Sequence, residues 1–317
     1  MQGECQQQHC YAPDTTCHLG MSDHRKCSMW RERQVDSPVP SDTEEQVGLL
    51  LPWTGNSLGI TDLPFLTAGA NTKVVAVVGP YSSGKTTLLA SLYLLLGRGK
   101  AGEEFQFAGS WTLSGWELIA NKMRWKSLAG PAFPPHTTSQ EARSPGLLHL
   151  SYRDETQREK HLLFADSPGE WFKLWSVNRD AQGCEGARWL SAHADMFLVL
   201  ADQDALSGEE RGIARSTAQG ILRRVASERA GRPVCLVWSK SDKEIPPEMR
   251  SAVRSAGTDI SSLDELSVSV YPENDGGRCF IRVLEWCLKQ SFRNEFIAVA
   301  ETSVQGDDPF FKYGVTP

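Results

Sequence analysis

The sequence predicts an α/β fold in which a mainly parallel β-sheet is covered by helices on both faces. Three observations carry this. Apolar, β-branched runs alternate with amphipathic helical patterns from residue 73 to residue 290. The first run is followed by Gly79-Pro80-Tyr81-Ser82-Ser83-Gly84-Lys85-Thr86 and then directly by an apolar helical pattern. A later run, residues 162–165, delivers Asp166 at its end, and Ser167-Pro168-Gly169 follows.

Taken in order, the elements divide the chain into four parts. Residues 1–33 are Cys- and His-rich, and residues 34–70 are a linker with an apolar lead-in. Residues 71–292 are the α/β domain, and residues 293–317 are a tail of little periodicity. Within the domain, residues 73–78 predict a strand. A helix begins near Lys85 and stops at the Gly-containing stretch 97–100. Residues 113–125 have a helical pattern. Residues 130–143 are a proline-broken loop carrying Thr137 and Thr138. Strands are predicted at 146–152, 162–165, 196–200, 234–238 and 267–271, with helices at 187–192, 207–230, 247–256 and 277–289.

The octapeptide from Gly79 to Thr86 matches G-x-x-x-x-G-K-S/T in full, in the strand–loop–helix context that a phosphate cradle needs. Glycines let such a loop curl until successive N–H groups point inward at phosphate oxygens. The helix N-terminus adds partial positive charge. The Lys85 ammonium reaches for the β- and γ-phosphates, and the Thr86 hydroxyl is a Mg²⁺ ligand. Asp166, at a strand end, suits the same Mg²⁺, and Gly169 N–H can meet a terminal phosphate with no side chain in the way. A further strand ends in Ser239-Lys240-Ser241-Asp242. A carboxylate there can accept from guanine N1–H and N2–H₂, a donor pair that adenine lacks, while the Lys240 stem lies over the base.

The order of these motifs resembles the translation-factor-related P-loop GTPases of Ras-like fold, over roughly residues 73–290. The segments PWTGNSLG, GKTTLLASLY and DSPGEWF, with the Cys-rich start, are similar to bacterial GTPases of the double-GTPase group linked to conflict or defence systems. The resemblance implies a GTP-driven switch in a multiprotein system, with GTP or GDP and Mg²⁺ bound and protein partners at the switch regions. It also implies that Gly79, Ser82, Ser83, Gly84, Lys85, Thr86 and Thr87 hold phosphate and magnesium, and that Thr138, or Thr137, is the switch threonine that ligates Mg²⁺. Glu170 stands where Ras-like proteins carry a water-orienting glutamine, so hydrolysis is expected to be slow or partner-dependent. Ser239 replaces the usual Asn or Thr, and no S-A-K follows the last predicted strand. No arginine finger is evident in the sequence: Arg143, Arg153 and Arg179 have no motif to support them, and a partner is the alternative source. Trp171, Phe172 and Trp175 crowd the second switch, either packed on a neighbouring helix or forming an exposed patch for a partner.

The N-terminal segment holds Cys5, Cys10, Cys17 and Cys27, spaced C-x4-C-x6-C-x9-C, with His9, His18 and His24 among them. So few apolar residues would struggle to fold without a cross-link. Structural Zn²⁺ on four thiolates, a disulfide pair and a disordered tail are the alternatives. A formal charge of −6 gives no support to nucleic-acid binding by bulk electrostatics. No apolar run approaches the ~20 residues of a membrane span, and the N-terminus lacks the apolar core of a signal peptide, so a cytoplasmic location is expected. A nucleotide-bound scaffold with negligible turnover and a P-loop ATPase are the competing functional readings.

Overall fold

The structure, a computed structural model, describes residues 3–5, 19, 21–32, 57–64, 71–99, 104–124, 146–271 and 276–292. The chain divides into two units, Met1–Leu50 and Leu51–Pro317. In the first, strands β1 (Gly3–Cys5) and β2 (Trp30–Glu32) pair antiparallel, with Cys5 opposite Trp30. Cys27 is a buried free thiol whose carbonyl accepts Trp30 N–H at 3.0 Å. Cys10, Cys17 and the Cys5 side chain lie outside the described residues. Among the described residues no three His, Cys, Asp or Glu side chains gather as a metal site, so the expected zinc appendage is not supported there.

The second unit is built on a seven-stranded sheet. Its strands are β3 (Thr72–Val78), β4 (Phe105–Gly109), β5 (Gly146–Asp154), β6 (Glu159–Asp166), β7 (Met196–Asp202), β8 (Val234–Ser239) and β9 (Leu263–Val268). The spatial order is β4-β5-β6-β3-β7-β8-β9. Neighbours from β6 to β9 are parallel, and β5 runs antiparallel to both β4 and β6. The helices are α1 (Lys85–Leu96), α2 (Leu113–Ala120), α3 (Gly169–Val177), α4 (Glu185–His193), α5 (Gln203–Ser207), α6 (Arg211–Glu228), α7 (Pro247–Ser255) and α8 (Arg278–Phe292).

The two-residue period of the strands explains why the central run reads as continuously apolar. Val74, Ala76 and Val78 enter one core with α3, α4, α6 and α7, while Val75 and Val77 enter the other with α1, α2 and α8. The lead-in joins the sheet through Leu58, which is buried and exchanges hydrogen bonds with Leu147 at 2.8 and 2.9 Å.

Three expectations need correction. The last strand lies at Leu263–Val268, earlier than 267–271. Its Asp264-Glu265 pair looks like loop, yet Glu265 accepts from Trp238 Nε1 at 3.0 Å and Asp264 from Trp286 Nε1 at 2.7 Å. The helix expected over 207–230 is two helices, because Asp202 caps α5 and the chain breaks at Gly208 before α6 restarts. The pattern over 113–125 ends at Ala120 in a 3-10 turn, Asn121–Met123. Of the two readings of Trp171, Phe172 and Trp175, inward packing is the one the structure bears out: a helix starts at Gly169, and the three rings are 5%, 1% and 1% exposed.

Candidate nucleotide-binding site

The site lies at the C-terminal ends of β3, β6 and β8. From β3 the chain turns through Gly79 to Gly84 into α1. Gly84 has φ +88°, the left-handed region that only glycine enters freely. Ser82 holds φ +61° despite its Cβ, a strained backbone of the kind found at ligand clamps. A Cβ on Gly79 would stand 2.6 Å from Ser83 Oγ and 3.1 Å from Leu200 Cβ, so only glycine lets the loop close there. Gly84 has no side chain to cap α1, which leaves the first-turn N–H groups for a ligand.

Lys85 is buried beneath this loop and donates to the carbonyls of Gly79 at 3.1 Å and Pro80 at 2.9 Å. Burial lowers its ammonium pKa to about 8, against the opposing pull of the Asp166 and Glu170 carboxylates. Thr86 Oγ1 donates to Asp166 at 3.0 and 3.3 Å. A hydroxyl from the first turn of α1 thus meets a carboxylate from the end of β6, a hard-oxygen pair that fits Mg²⁺. The Ser83 and Ser167 hydroxyls are fully buried beside this pair and make no hydrogen bond among the described residues. Orphaned hydroxyls of this kind suit ligand oxygens. Gly169 is wedged against the loop: a Cβ there would be 2.2 Å from Tyr81 N and 2.4 Å from the Pro80 carbonyl carbon.

Two strands across the sheet, β8 delivers the second part of the site. Ser239 is buried and donates to the Ala201 carbonyl at 3.3 Å. Lys240 has φ +52°, and its Nζ lies 2.7 Å from Asp202 Oδ2 and 3.7 Å from Asp204 Oδ2. Asp242 accepts from Ser269 Oγ at 2.6 Å, and Ser269 Oγ accepts from Tyr271 N–H at 3.0 Å. A single cavity of about 690 Å³ joins the two parts, a volume suited to a nucleotide.

Of the expected residues, Ser82, Ser83, Gly84, Lys85, Thr86, Thr87, Gly169, Lys240 and Asp242 line this cavity. Gly79 shapes the loop and Asp166 is linked in through Thr86. Glu170 is exposed on the first turn of α3 and does not line the cavity. Thr137, Thr138 and Arg143 lie outside the described residues. Arg153 and Arg179 are paired with Glu159 and Glu228. Sequence reasoning missed Ser167, Ser269, Tyr271 and Phe280, all lining the cavity. The Ser after the last strand was the available signal, hidden by the misplaced strand.

A G-x-x-x-x-G-K-T loop between strand and helix, a hydrogen-bonded threonine–aspartate pair and a strand-end carboxylate around one cavity of a mainly parallel sheet are the arrangement of a P-loop nucleotide-binding domain. Residues 73–284 match the family model described as Double-GTPase 2, and the chain belongs to that family. Among solved structures it is similar to Era in complex with MgGDPNP and nucleotides 1506–1542 of 16S ribosomal RNA, at 16% identity and a TM-score of 0.35. That match covers 70% of this chain and 57% of the Era chain. No curated protein matches.

Proposed function

We propose that the chain is a GTP-binding and GTP-hydrolysing switch. One observation carries the guanine assignment: Asp242, oriented by Ser269, stands in the same cavity as Lys85 and two strands away, about 10 Å by sheet spacing. Lys85 and the first-turn N–H groups of α1 hold the phosphates, and Gly169 N–H meets the terminal one. Thr86 and Asp166, with Thr138, hold Mg²⁺. When bound, the ion neutralises charge that develops on the transferring phosphoryl group. Glu170 follows Gly169, where the resemblance expects the water-orienting group, but it is exposed and outside the cavity, so turnover is slow until a partner or the bound nucleotide brings such a group to the terminal phosphate.

The exposed placement of Glu170 favours a second reading, a nucleotide-bound scaffold with negligible turnover. The remaining parts of the proposal rest on the resemblance of the motifs: a cytoplasmic role in a bacterial conflict system, with protein partners at the switch regions. Structural Zn²⁺ at Cys5, Cys10, Cys17 and Cys27 belongs to the same proposal, and metal analysis of the purified chain tests it. The decisive experiment measures GTP and ATP affinity side by side with Mg²⁺, then follows phosphate release. Tight GTP binding with weak ATP binding supports the base assignment. Measurable release selects the enzyme over the scaffold, and equal binding of both nucleotides moves the chain to the ATPase reading.

A further inference from the structure

Asp202, at the end of β7, is 6% exposed and has both carboxylate oxygens engaged. Oδ1 accepts from Asp204 N–H at 3.0 Å and Ala205 N–H at 3.3 Å, capping α5. Oδ2 accepts from Lys240 Nζ at 2.7 Å. The pair is therefore short, charge-assisted and largely removed from solvent on the aspartate side, where salt screens little. Lys240 needs such a tether. It holds a left-handed backbone despite its Cβ, and strain of that kind persists only where the surroundings over-determine it. The other carboxylate near it, Asp204, is 3.7 Å away and 54% exposed, too distant and too wet to fix the amine.

We propose that Asp202 is a positioning residue for base readout. Its buried carboxylate points the Lys240 stem along the base plane, while Asp242 reads the base edge. The same strand end serves the phosphate side. The Leu200 carbonyl lies 3.3 Å from where a Gly79 Cβ would be, and the Ala201 carbonyl holds Ser239. The last residues of β7 thus form a wall shared by phosphate loop and base loop. This assignment rests on the guanine reading proposed above.

The test uses the full chain and GDP, IDP and ADP with Mg²⁺. In Asp202→Asn, which keeps the capping oxygen but removes the charge, GDP affinity is expected to fall on the order of tenfold. IDP affinity falls by the same factor, because the lysine stem covers the face of the base and not its 2-amino edge. In a Lys240→Met background the same change has little further effect, because Asp202 acts through the lysine. Asp202→Ser, another good cap, repeats the measurement if the asparagine variant folds poorly. Equal losses in both backgrounds would reduce Asp202 to a helix cap and overturn the proposal, as would unchanged GDP affinity. Equal GDP and ADP affinity in the unsubstituted chain would instead remove the guanine reading itself, and this assignment with it.

Discussion

Ser269 Oγ donates to Asp242 Oδ1 at 2.6 Å while accepting from Tyr271 N–H, so one hydroxyl fixes the carboxylate and the start of the loop after β9. With its proton committed to Oδ1, Ser269 leaves Oδ2 open to the base edge in the proposed guanine reading; among the described residues the nearest cation to it is Lys243 Nζ at 3.9 Å. Ser269→Ala is expected to weaken GDP binding by roughly five- to tenfold, the cost of one hydrogen bond to a charged acceptor. ADP binding should not change. Titration calorimetry with both nucleotides checks this, and an equal loss for the two would mean that Ser269 supports the fold and not the base contact.

Gly169→Ala has no room to relax, since the atoms its Cβ would meet are backbone of Tyr81 and Pro80. The variant is expected to lose about 1–3 kcal/mol of stability from overpacking, and to bind nucleotide more weakly because the phosphate loop must shift. Chemical denaturation with and without GDP reads both effects. A variant as stable and as tight as the parent would show that α3 and the loop are not held in contact.

Lys85 makes nucleotide affinity pH-dependent. Burial lowers its ammonium pKa to about 8, and bound phosphates would raise it again. Binding above that pH therefore takes up a proton, and affinity falls as pH rises, by up to about tenfold per unit. Calorimetry at pH 9 in two buffers of different ionisation enthalpy should show proton uptake, with less uptake at pH 7. Identical uptake at both values would place the lysine pKa elsewhere.

His149 and His161 predict the acid limit of the fold. Trp111 N–H donates to His149 Nδ1 at 3.0 Å, so His149 Nε2 carries the proton shared with His161 Nδ1 at 2.8 Å. His161 Nε2 in turn faces Glu159 at 3.6 Å. Burial, with His161 adding to it, pushes His149 down to about 3, and burial lowers His161 as well. These folded-state values lie below the unfolded ones. The unfolded chain therefore binds more protons as pH falls below about 6.5, and stability drops by up to about 1.4 kcal/mol per unit for His149 alone. Denaturation between pH 7 and 5 should show this slope, and His149→Gln should flatten it.

Most of the fold and the phosphate half of the site were legible because they rest on local rules. Residues 74–78 are apolar on both faces, Gly84 supplies the left-handed turn, and Lys85 opens the helix, all within one contiguous stretch. What escaped depends on contacts distant in sequence. β9 carries two acidic residues that are acceptable only because Trp238, Trp286 and Arg254 meet them. Misplacing that strand hid Ser269. The helical start of α3 was equally opaque, since Gly169 and Pro168 read as a turn until the Trp171 ring is seen against Gly186, whose Cβ would stand 2.1 Å from it.

The inward packing of α3 has a mechanical consequence. A helix pinned by three buried rings does not melt when its first residue is displaced; it tilts as a rod. Its nine residues span roughly 13 Å. A displacement of Gly169 by a terminal phosphate would therefore travel along the rod to Leu174 and Val177, which are 45% and 83% exposed. The message would reach the surface as a change in the angle of α3.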